Sequence, residues 1–468
     1  MLINKSMETG CVPDALKIAK IIPIYKSKEV DQFKNYRPIS LLPTISKIFE
    51  KILYKRLYHF VKSKLYSKQY GFRAKHSTIQ AVTELYVDII DSFENKKITM
   101  ATFLDLSKAF DTIDHAILLK KMSLFGVRGL ALDWFKSYLT NRKHYIQYKT
   151  QMSNIEDITC GVPQGSVLGP LLFIIYTNDL PSCLKNTKCI LFADDTTIYT
   201  SSSNVFKLYK LLNDDLCILA DWFRANKLSL NIGKTVYMIF KNKNVHLTKE
   251  TNSNIKIGNE TIQKVQCTKF LGLYIDDQLR WTTHIKHCRS KLYSSLYALK
   301  TAKYLLTTSH MKTLYYSMIY PYLNYGIMLW GSASKSYIKS IEILQKKAIR
   351  TIMNASYNAH TKPLFKNLGI LTFNDMFKLQ IDKFMYESSH NTLPTNFVDI
   401  FEYNYNIHNH NTRQRHEPHI AMRETAFAGN TFIHQGPKSW SHIPVEIRES
   451  KNTQSSNRKI RIAMLKEY

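Results

Sequence analysis

The stretch Lys188-Cys-Ile-Leu-Phe-Ala-Asp-Asp-Thr-Thr-Ile-Tyr199 constrains this chain more than any other. An apolar run enters, two adjacent carboxylates (Asp194, Asp195) stand at its end, and a β-branched and aromatic run leaves. Such runs on both sides of a short polar break predict a β-hairpin. Two carboxylates at a hairpin tip are hard oxygen donors suited to Mg2+, which keeps several waters and takes one or two carboxylates plus substrate phosphates. The competing reading is a solvated turn, because aspartate is a common turn residue.

Two further pairs compete for the same role. Asp214 and Asp215 lie in a segment of helical apolar spacing, which predicts a solvated helix face for their carboxylates. Tyr274-Ile-Asp-Asp277 repeats the aromatic-x-Asp-Asp pattern, but Gln-Leu-Arg-Trp after it is a poorer returning strand than Thr196-Thr-Ile-Tyr199. A third carboxylate favours the first pair. The run from Thr99 to Leu104 reads as a strand that delivers Asp105 at its end, and Asp111 and Asp114 beyond it are expected to cap or solvate the next helix.

The partner class follows from charge. The net charge of +29 over 468 residues, with a pI near 9.6, points to a polyanion, nucleic acid ahead of membrane surface. Hydrophobic content of 44% excludes a disordered chain, and the length predicts several sub-domains. The seven cysteines include no Cys-x-x-Cys pair, which suggests neither a disulfide framework nor a zinc ribbon. No run approaches the roughly 18 apolar residues of a membrane span, and the N-terminus lacks a signal core, so an intracellular protein of nucleus or cytoplasm is expected.

In chain order, 21–26 reads as an edge strand holding Pro23, and 44–57 as a helix with apolar residues at 45, 48, 49, 52, 53 and 57. Lys26 and Arg37 flank the extended segments around them, and an arginine fork suits phosphate oxygens while lysine acts as a point charge. A helix over 79–93 is predicted with Ser77 or Thr78 at its cap. Residues 116–150 read as helix, turn and helix. There Lys136, Arg142, Lys143, His144 and Lys149 interleave with Trp134, Tyr138, Tyr145 and Tyr148, a pattern that suits stacking and phosphate contact. A Gly/Pro-rich loop at 160–170 opens into an apolar helix, a helix follows the hairpin to about Ala225, and 241–260 is a polar connection. Thr268 to Asp276 reads as one strand. From Trp281 to Leu306 a basic helix carries Lys286, Arg289 and Lys291, with Leu292, Leu296 and Leu299 toward a core, and more helices follow to about residue 390.

Together these residues resemble the reverse transcriptases of non-LTR (LINE-type) retrotransposons. The blocks stand in family order: Tyr36-Arg-Pro-Ile-Ser-Leu-Leu, Gly71-Phe-Arg, Phe103-Leu-Asp-Leu-Ser-Lys-Ala-Phe-Asp, Gly161-Val-Pro-Gln-Gly-Ser-Val-Leu-Gly-Pro, Phe192-Ala-Asp-Asp, Leu228-Ser-Leu-Asn-x-x-Lys-Thr and Phe270-Leu-Gly. They cover roughly 15–280 closely and the helical remainder loosely. The resemblance implies an α+β right-hand polymerase. Fingers would begin at 1–100, a palm with inserted fingers helices would span 101–280, a helical thumb and connection 281–390, and a basic, RNA-binding C-terminal region 391–468. It also places Tyr274-Ile-Asp-Asp277 in the primer-grip block, away from the metal site. The family's endonuclease does not precede the fingers here, so a fragment is expected.

The resemblance further implies an RNA-directed DNA polymerase acting on an RNA template, a DNA primer and deoxyribonucleoside triphosphates. Two Mg2+ ions, or Mn2+ in their place, would sit on Asp105, the Leu106 carbonyl, Asp194 and Asp195. Lys26 and Arg37 would hold the triphosphate, Phe110 would lie against the sugar 2′-carbon, and Gln164 and Gly165 would line the incoming base and template. Lys234 would protonate the departing pyrophosphate, and Arg73, Lys286, Arg289 and Lys291 would contact nucleic acid. The alternatives are a catalytically inactive, retroelement-derived RNA-binding protein and a group II intron-type maturase.

Overall fold

The strand Ile98–Leu104 is apolar or β-branched at every position, and nearly every residue is buried, as expected of a strand covered on both faces. It is the central strand of five. The computed structural model describes residues 2–26, 29–242, 254–407, 415–420 and 426–468, and in it the sheet order is Gln263–Lys264, Val236–Phe240, Ile98–Leu104, Asp195–Ser202, Lys188–Phe192. The pairings are antiparallel except that of 263–264 with 236–240.

Side chains alternate across this sheet with the period of two that strands impose. Ala101, Ile190, Tyr199, Met238 and Phe240 join one core, shared with the helix Thr78–Glu94 and the C-terminal helices. Ile98, Met100, Leu104, Ile198, Leu191 and Ile239 join the other, shared with the helices Gly169–Tyr176 and Val205–Ala225. The 78–94 helix starts as predicted: Ser77 accepts from the Gln80 N–H while the Gln80 side chain reaches back, a full capping box.

A second sheet orders Tyr36–Leu41, Ile18–Tyr25, Arg142–Tyr148 and Gln151–Met152, with Glu156–Ile158 also paired to 142–148. Here the sequence reading is corrected. The helix Leu130–Leu139 forms, but the basic–aromatic stretch beyond it is a strand, pairing in parallel with 18–25. Trp134, Tyr138 and Arg142 are core, not a stacking surface. The Arg142 guanidinium lies 4.9 Å over the Tyr138 ring and donates to the Tyr138 carbonyl. Tertiary pairing partners, invisible along the chain, override the local helical spacing. In the helix Thr44–Val61 the predicted stripe is only partly used: Phe49 and Leu57 are buried, while Ile45 and Ile48 are exposed.

Beyond the sheets, Thr268 to Asp276 is a hairpin of two short strands, Cys267–Phe270 and Leu273–Asp276, turned at Leu271 and Gly272, both with positive φ. The helix Thr282–Ala302 buries Leu292, Leu296 and Leu299 as expected. The described part of 391–468 does not stand apart. Phe397, Phe432 and Trp440 enter the core of the 78–94 helix, with Phe432 against Tyr86 and Phe397 against Tyr70. The remainder of that region (408–414, 421–425) and most of the polar connection at 241–260 (243–253) lie outside the described residues.

The pair Asp214-Asp215 divides. Asp214 is exposed, whereas Asp215 is fully buried, which corrects the solvated-face reading. Its carboxylate accepts from the backbone N–H groups of Lys185, Asn186 and Thr187 and from the Asn186 and Thr187 side chains. It thus fixes the loop that launches the 188–192 strand. Removing such an acceptor strands several buried donors at about 1–3 kcal/mol each before relaxation. Asp215→Ala is therefore expected to lower unfolding stability by at least about 2 kcal/mol, and Asp214→Ala by no more than about 0.5 kcal/mol, read from denaturant melts.

Candidate active site

The hairpin is closed by the pair Phe192–Asp195, leaving Ala193 and Asp194 as a two-residue loop. The register pairs Leu104 with Thr196, so one step on, Asp105 leaves its strand beside the hairpin end that carries Asp194 and Asp195. Asp105 is held through its backbone: its N–H reaches Thr235 Oγ1 at 3.3 Å, and its carbonyl accepts from the Asn231 N–H at 2.8 Å. That last bond makes 105/231 a hydrogen-bonded pair. In an antiparallel ladder the next pair, Leu106 opposite Leu230, is then the unbonded kind, and the Leu106 carbonyl is turned away from the neighbouring strand. The structure thus assembles Asp105, Leu106, Asp194 and Asp195 at one sheet end.

The electrostatics agree with that geometry. Asp195 is exposed at the hairpin tip, yet the protein around it displaces enough water to raise its carboxyl to about 6, with Asp194 and then Asp105 adding like charge. Desolvation likewise raises Asp194, Asp105 adds to it, and Arg37 and Lys26 pull it back. The two cations of the second sheet, placed by the pairing of Ile24 with Arg37 and by the bond from Lys26 N–H to the Asn35 carbonyl, thus lie near enough to Asp194 to lower its carboxyl. Lys234 Nζ stands 3.3 Å from Asp105 Oδ2, with both side chains open to solvent, an ion pair too exposed to add much stability.

Among the described residues no three His, Cys, Asp or Glu side chains converge into a ready cage for a metal ion. The donor chemistry nevertheless fits a divalent cation of the Mg2+ kind. It offers hard carboxylate oxygens at adjacent strand ends, a carbonyl turned outward and like charges that a cation would relieve, and such an ion needs only one or two carboxylates from the protein.

The other expected residues divide. Phe110 is half-buried, stacked on Phe173 at 4.7 Å and edge-on to Phe72 at 6.2 Å. Gln164 donates to both carboxylate oxygens of Asp111 at 2.8 and 3.0 Å, so Asp111 is a partner of the 160–165 loop, whereas Asp114 caps the helix His115–Leu124 as expected. Gly165, at φ +116, lies so close to Ser40 that a Cβ would stand 2.8 Å from the Ser40 carbonyl oxygen. Arg73 Nη1 donates to the Tyr66, Ser67 and Gln69 carbonyls and holds a turn. Lys286 and Lys291 are exposed and Arg289 half-exposed on the 282–302 helix, remote in sequence from the carboxylates. Asp276 is a structural residue: it accepts from the N–H groups of Gln278, Arg280 and Trp281 and so organises the start of that helix.

Three contributors were not singled out in the sequence. Glu50 is buried within the 44–61 helix and accepts from the Val167 and Leu168 N–H groups and from the Tyr138 hydroxyl, fixing the loop after Gly165. Thr235 and Asn231 hold Asp105. Only their place in the Leu228-Ser-Leu-Asn-x-x-Lys-Thr block marked them.

The sequence profile of the reverse transcriptase (RNA-dependent DNA polymerase) family matches residues 24–275, more than half of the chain, and spans Asp105, Asp194 and Asp195. The chain belongs to that family, and its α+β architecture is the right-hand polymerase fold. It is 29% identical over 398 residues to a Drosophila melanogaster protein named "Probable RNA-directed DNA polymerase from transposon BS" (82% of this chain, 43% of that protein). It is 28% identical over 400 residues to the RNA-directed DNA polymerase from mobile element jockey of the same organism (82% and 43%). The chain thus spans less than half the length of these relatives, which belong to mobile elements as the resemblance implied. A telomerase from Candida albicans, solved in complex with a fragment of telomeric RNA, superposes with a TM-score of 0.41 at 13% identity, over 76% of this chain and 66% of that one, which adds no weight to the assignment.

The raised carboxyl has a consequence for stability. Asp195 in the fold titrates near 6, above its ordinary 3.8, so the fold favours its protonated form. The stability this contributes is complete below about pH 3.8 and is lost as pH rises through about 6. Asp195→Asn removes the ionisation. In the metal-free protein the variant is expected to melt higher than the unmodified chain at about pH 8, with the gap closing toward about pH 4, as scanning calorimetry across pH would read.

Proposed function

We propose that this chain is the polymerase portion of a non-LTR retrotransposon reverse transcriptase, copying RNA into DNA by nucleotidyl transfer with two divalent metal ions, Mg2+ or Mn2+. The observation that carries the reading is the strand register that sets Asp105 beside Asp194 and Asp195 at adjacent strand ends, with Arg37 and Lys26 lowering the Asp194 carboxyl. RNA template, DNA primer and deoxyribonucleoside triphosphates are the partners, and the net charge of +29 suits them. No described helix is long and apolar enough to cross a membrane.

Each residue then has a task. Asp105, Asp194, Asp195 and the Leu106 carbonyl would hold the metal ions, which would supply charge stabilisation for the phosphoryl displacement. Lys26 and Arg37 orient the triphosphate, neutralising its charge as they temper that of Asp194. Lys234 delivers a proton from Nζ to the pyrophosphate, and its pairing with Asp105 keeps the ammonium beside the reaction. Gln164, locked by Asp111, and Gly165, seated on Ser40, form a rigid floor for the incoming base pair. Lys286, Arg289 and Lys291 grip the template–primer backbone, Arg73 supports the fingers turn near it, and the C-terminal region extends the RNA-binding surface.

Primer extension tests the reading. Asp105→Ala or Asp194→Ala is expected to abolish DNA synthesis and to leave RNA binding largely intact, because the positive charge lies elsewhere. Asp277→Ala is expected to be mild. An inactive unmodified chain that still binds RNA would favour the inactive RNA-binding protein, and a requirement for intron splicing would favour the maturase.

Phe110 is proposed as the sugar gate. Stacked on Phe173, its ring has little freedom to yield to an added 2′-hydroxyl, and overpacking a tight site costs about 1–3 kcal/mol. Phe110→Val is therefore expected to raise ribonucleotide use relative to deoxyribonucleotide use by roughly ten- to a hundredfold. Single-nucleotide extension reads the ratio. A folded variant with unchanged sugar preference would sink the gate and leave Phe110 a core aromatic.

A further inference from the structure

The turn that carries Asp194 is built against its own preference. Of its two central residues Ala193 has φ +56, and Asp194 is not in the left-handed region. A two-residue hairpin loop with only its first residue at positive φ has the pattern of a type II′ turn, whose first central position is ordinarily glycine. An alanine there is strained, and it stays only if its surroundings dictate the conformation.

Those surroundings come from residues 68–71. Leu191 N–H donates to the Lys68 carbonyl at 3.0 Å and Tyr70 N–H to the Leu191 carbonyl at 2.8 Å, so this segment runs as a short parallel bridge beside the outer strand of the hairpin. Gly71 sits so tightly on the tip that a Cβ would stand 2.2 Å from Ala193 N. Between them lies Gln69, 1% exposed, whose Oε1 accepts from the Gly71 N–H at 2.8 Å and from the Ala193 N–H at 3.1 Å. Two fixed backbone donors determine which end of the carboxamide faces the turn. The other end, Nε2, is buried with no hydrogen-bond partner among the described residues. A buried amide that forgoes its own donors is costly, so the accepting oxygen is the part the site is arranged around. The segment is anchored behind: Tyr70 donates to Glu84 at 2.8 Å, and its ring lies 6.3 Å from Phe397 of the C-terminal region.

We propose that Gln69 is a positioning residue for the catalytic carboxylates: its amide oxygen holds Ala193 in the left-handed turn, aims Asp194 and so sets the divalent-cation affinity of the site. The inference rests on the polymerase reading of Asp105, Asp194 and Asp195. Gln69 touches neither substrate nor metal. It acts through the backbone, as the outer partners of metal ligands do, whose loss typically weakens metal affinity or activity about 10–100-fold.

The test uses the full chain and Mn2+ as probe, with binding followed by electron paramagnetic resonance in the absence of nucleic acid. Gln69→Met keeps length and apolar bulk and removes the acceptor. Gln69→Glu keeps an acceptor oxygen. The expected result is Mn2+ affinity about 10–100-fold weaker in the Met variant and at least that of the unmodified chain in the Glu variant. Primer extension should show the Mn2+ requirement rising in parallel, with the KM for template–primer unchanged. A folded Met variant that binds Mn2+ like the unmodified chain overturns the proposal. If the Met variant does not fold, hydrogen exchange of the unmodified chain decides: a protected Ala193 amide supports the clamp, and one exchanging at the free-peptide rate overturns it. Weaker Mn2+ binding in a chain whose unmodified form extends no primer would keep Gln69 in its place and remove the polymerase assignment instead.

Discussion

Like charges do not gather unless something stronger holds them, and here the restraint is backbone pairing. The antiparallel register of 98–104 with 195–202 brings Asp105 to the hairpin tip, and every interstrand bond along it resists separation of the carboxylates. Loss of water, and after it the repulsion that remains, raises the Asp194 and Asp195 carboxyls. The repulsion is relieved from one side by Lys234 and from the other by the charges of Arg37 and Lys26. A site of this kind favours divalent cations, which relieve the like charges of the carboxylates, while Arg37 and Lys26 favour phosphates.

The rest of the molecule holds that sheet end from several directions. Asp215 fixes the loop ahead of the 188–192 strand, Gln69 and Gly71 press the hairpin tip from its edge, and Asn231 and Thr235 hold Asp105 from the opposite neighbour. The floor beside it is built separately. Glu50 gathers the N–H groups of Val167 and Leu168, Gln164 is tied to Asp111, and Ser40 N–H binds the Gln164 carbonyl at 2.7 Å. Burial raises the Glu50 carboxyl above its ordinary range, so even this buried acid carries a cost offset only by its three donors. The helix 78–94 joins the core on its face of the sheet to the C-terminal region, since Tyr86 meets Trp281 and Phe432.

Much of the site was legible because its chemistry is local. The hairpin around Asp194 and Asp195, the strand ending at Asp105, the cap at Ser77 and the buried leucines of the 282–302 helix all follow from spacing and residue type within a few positions. The three Asp-Asp pairs show the boundary of that legibility. The tetrapeptides are nearly alike, yet one carboxylate of the first pair faces cations, Asp215 is sealed against a loop, and Asp276 organises a helix start. The Asp-Asp pattern by itself does not distinguish these fates. Donors brought from about thirty residues away, or from only the next turn, do.

Sequence alone therefore determined the family, the central strands and the identity of the metal-ligand candidates, because periodicity and ordered motif blocks encode which backbone groups pair and which side chains end a strand. Tertiary structure alone decided that 142–148 is a strand, that Arg142 and Tyr138 are core, that Asp111 accepts from Gln164 and that Gln69 accepts from the Ala193 N–H of the hairpin turn. Each of these depends on a hydrogen-bond or packing partner far along the chain, and a buried polar group takes its role from whichever partner the fold brings to it.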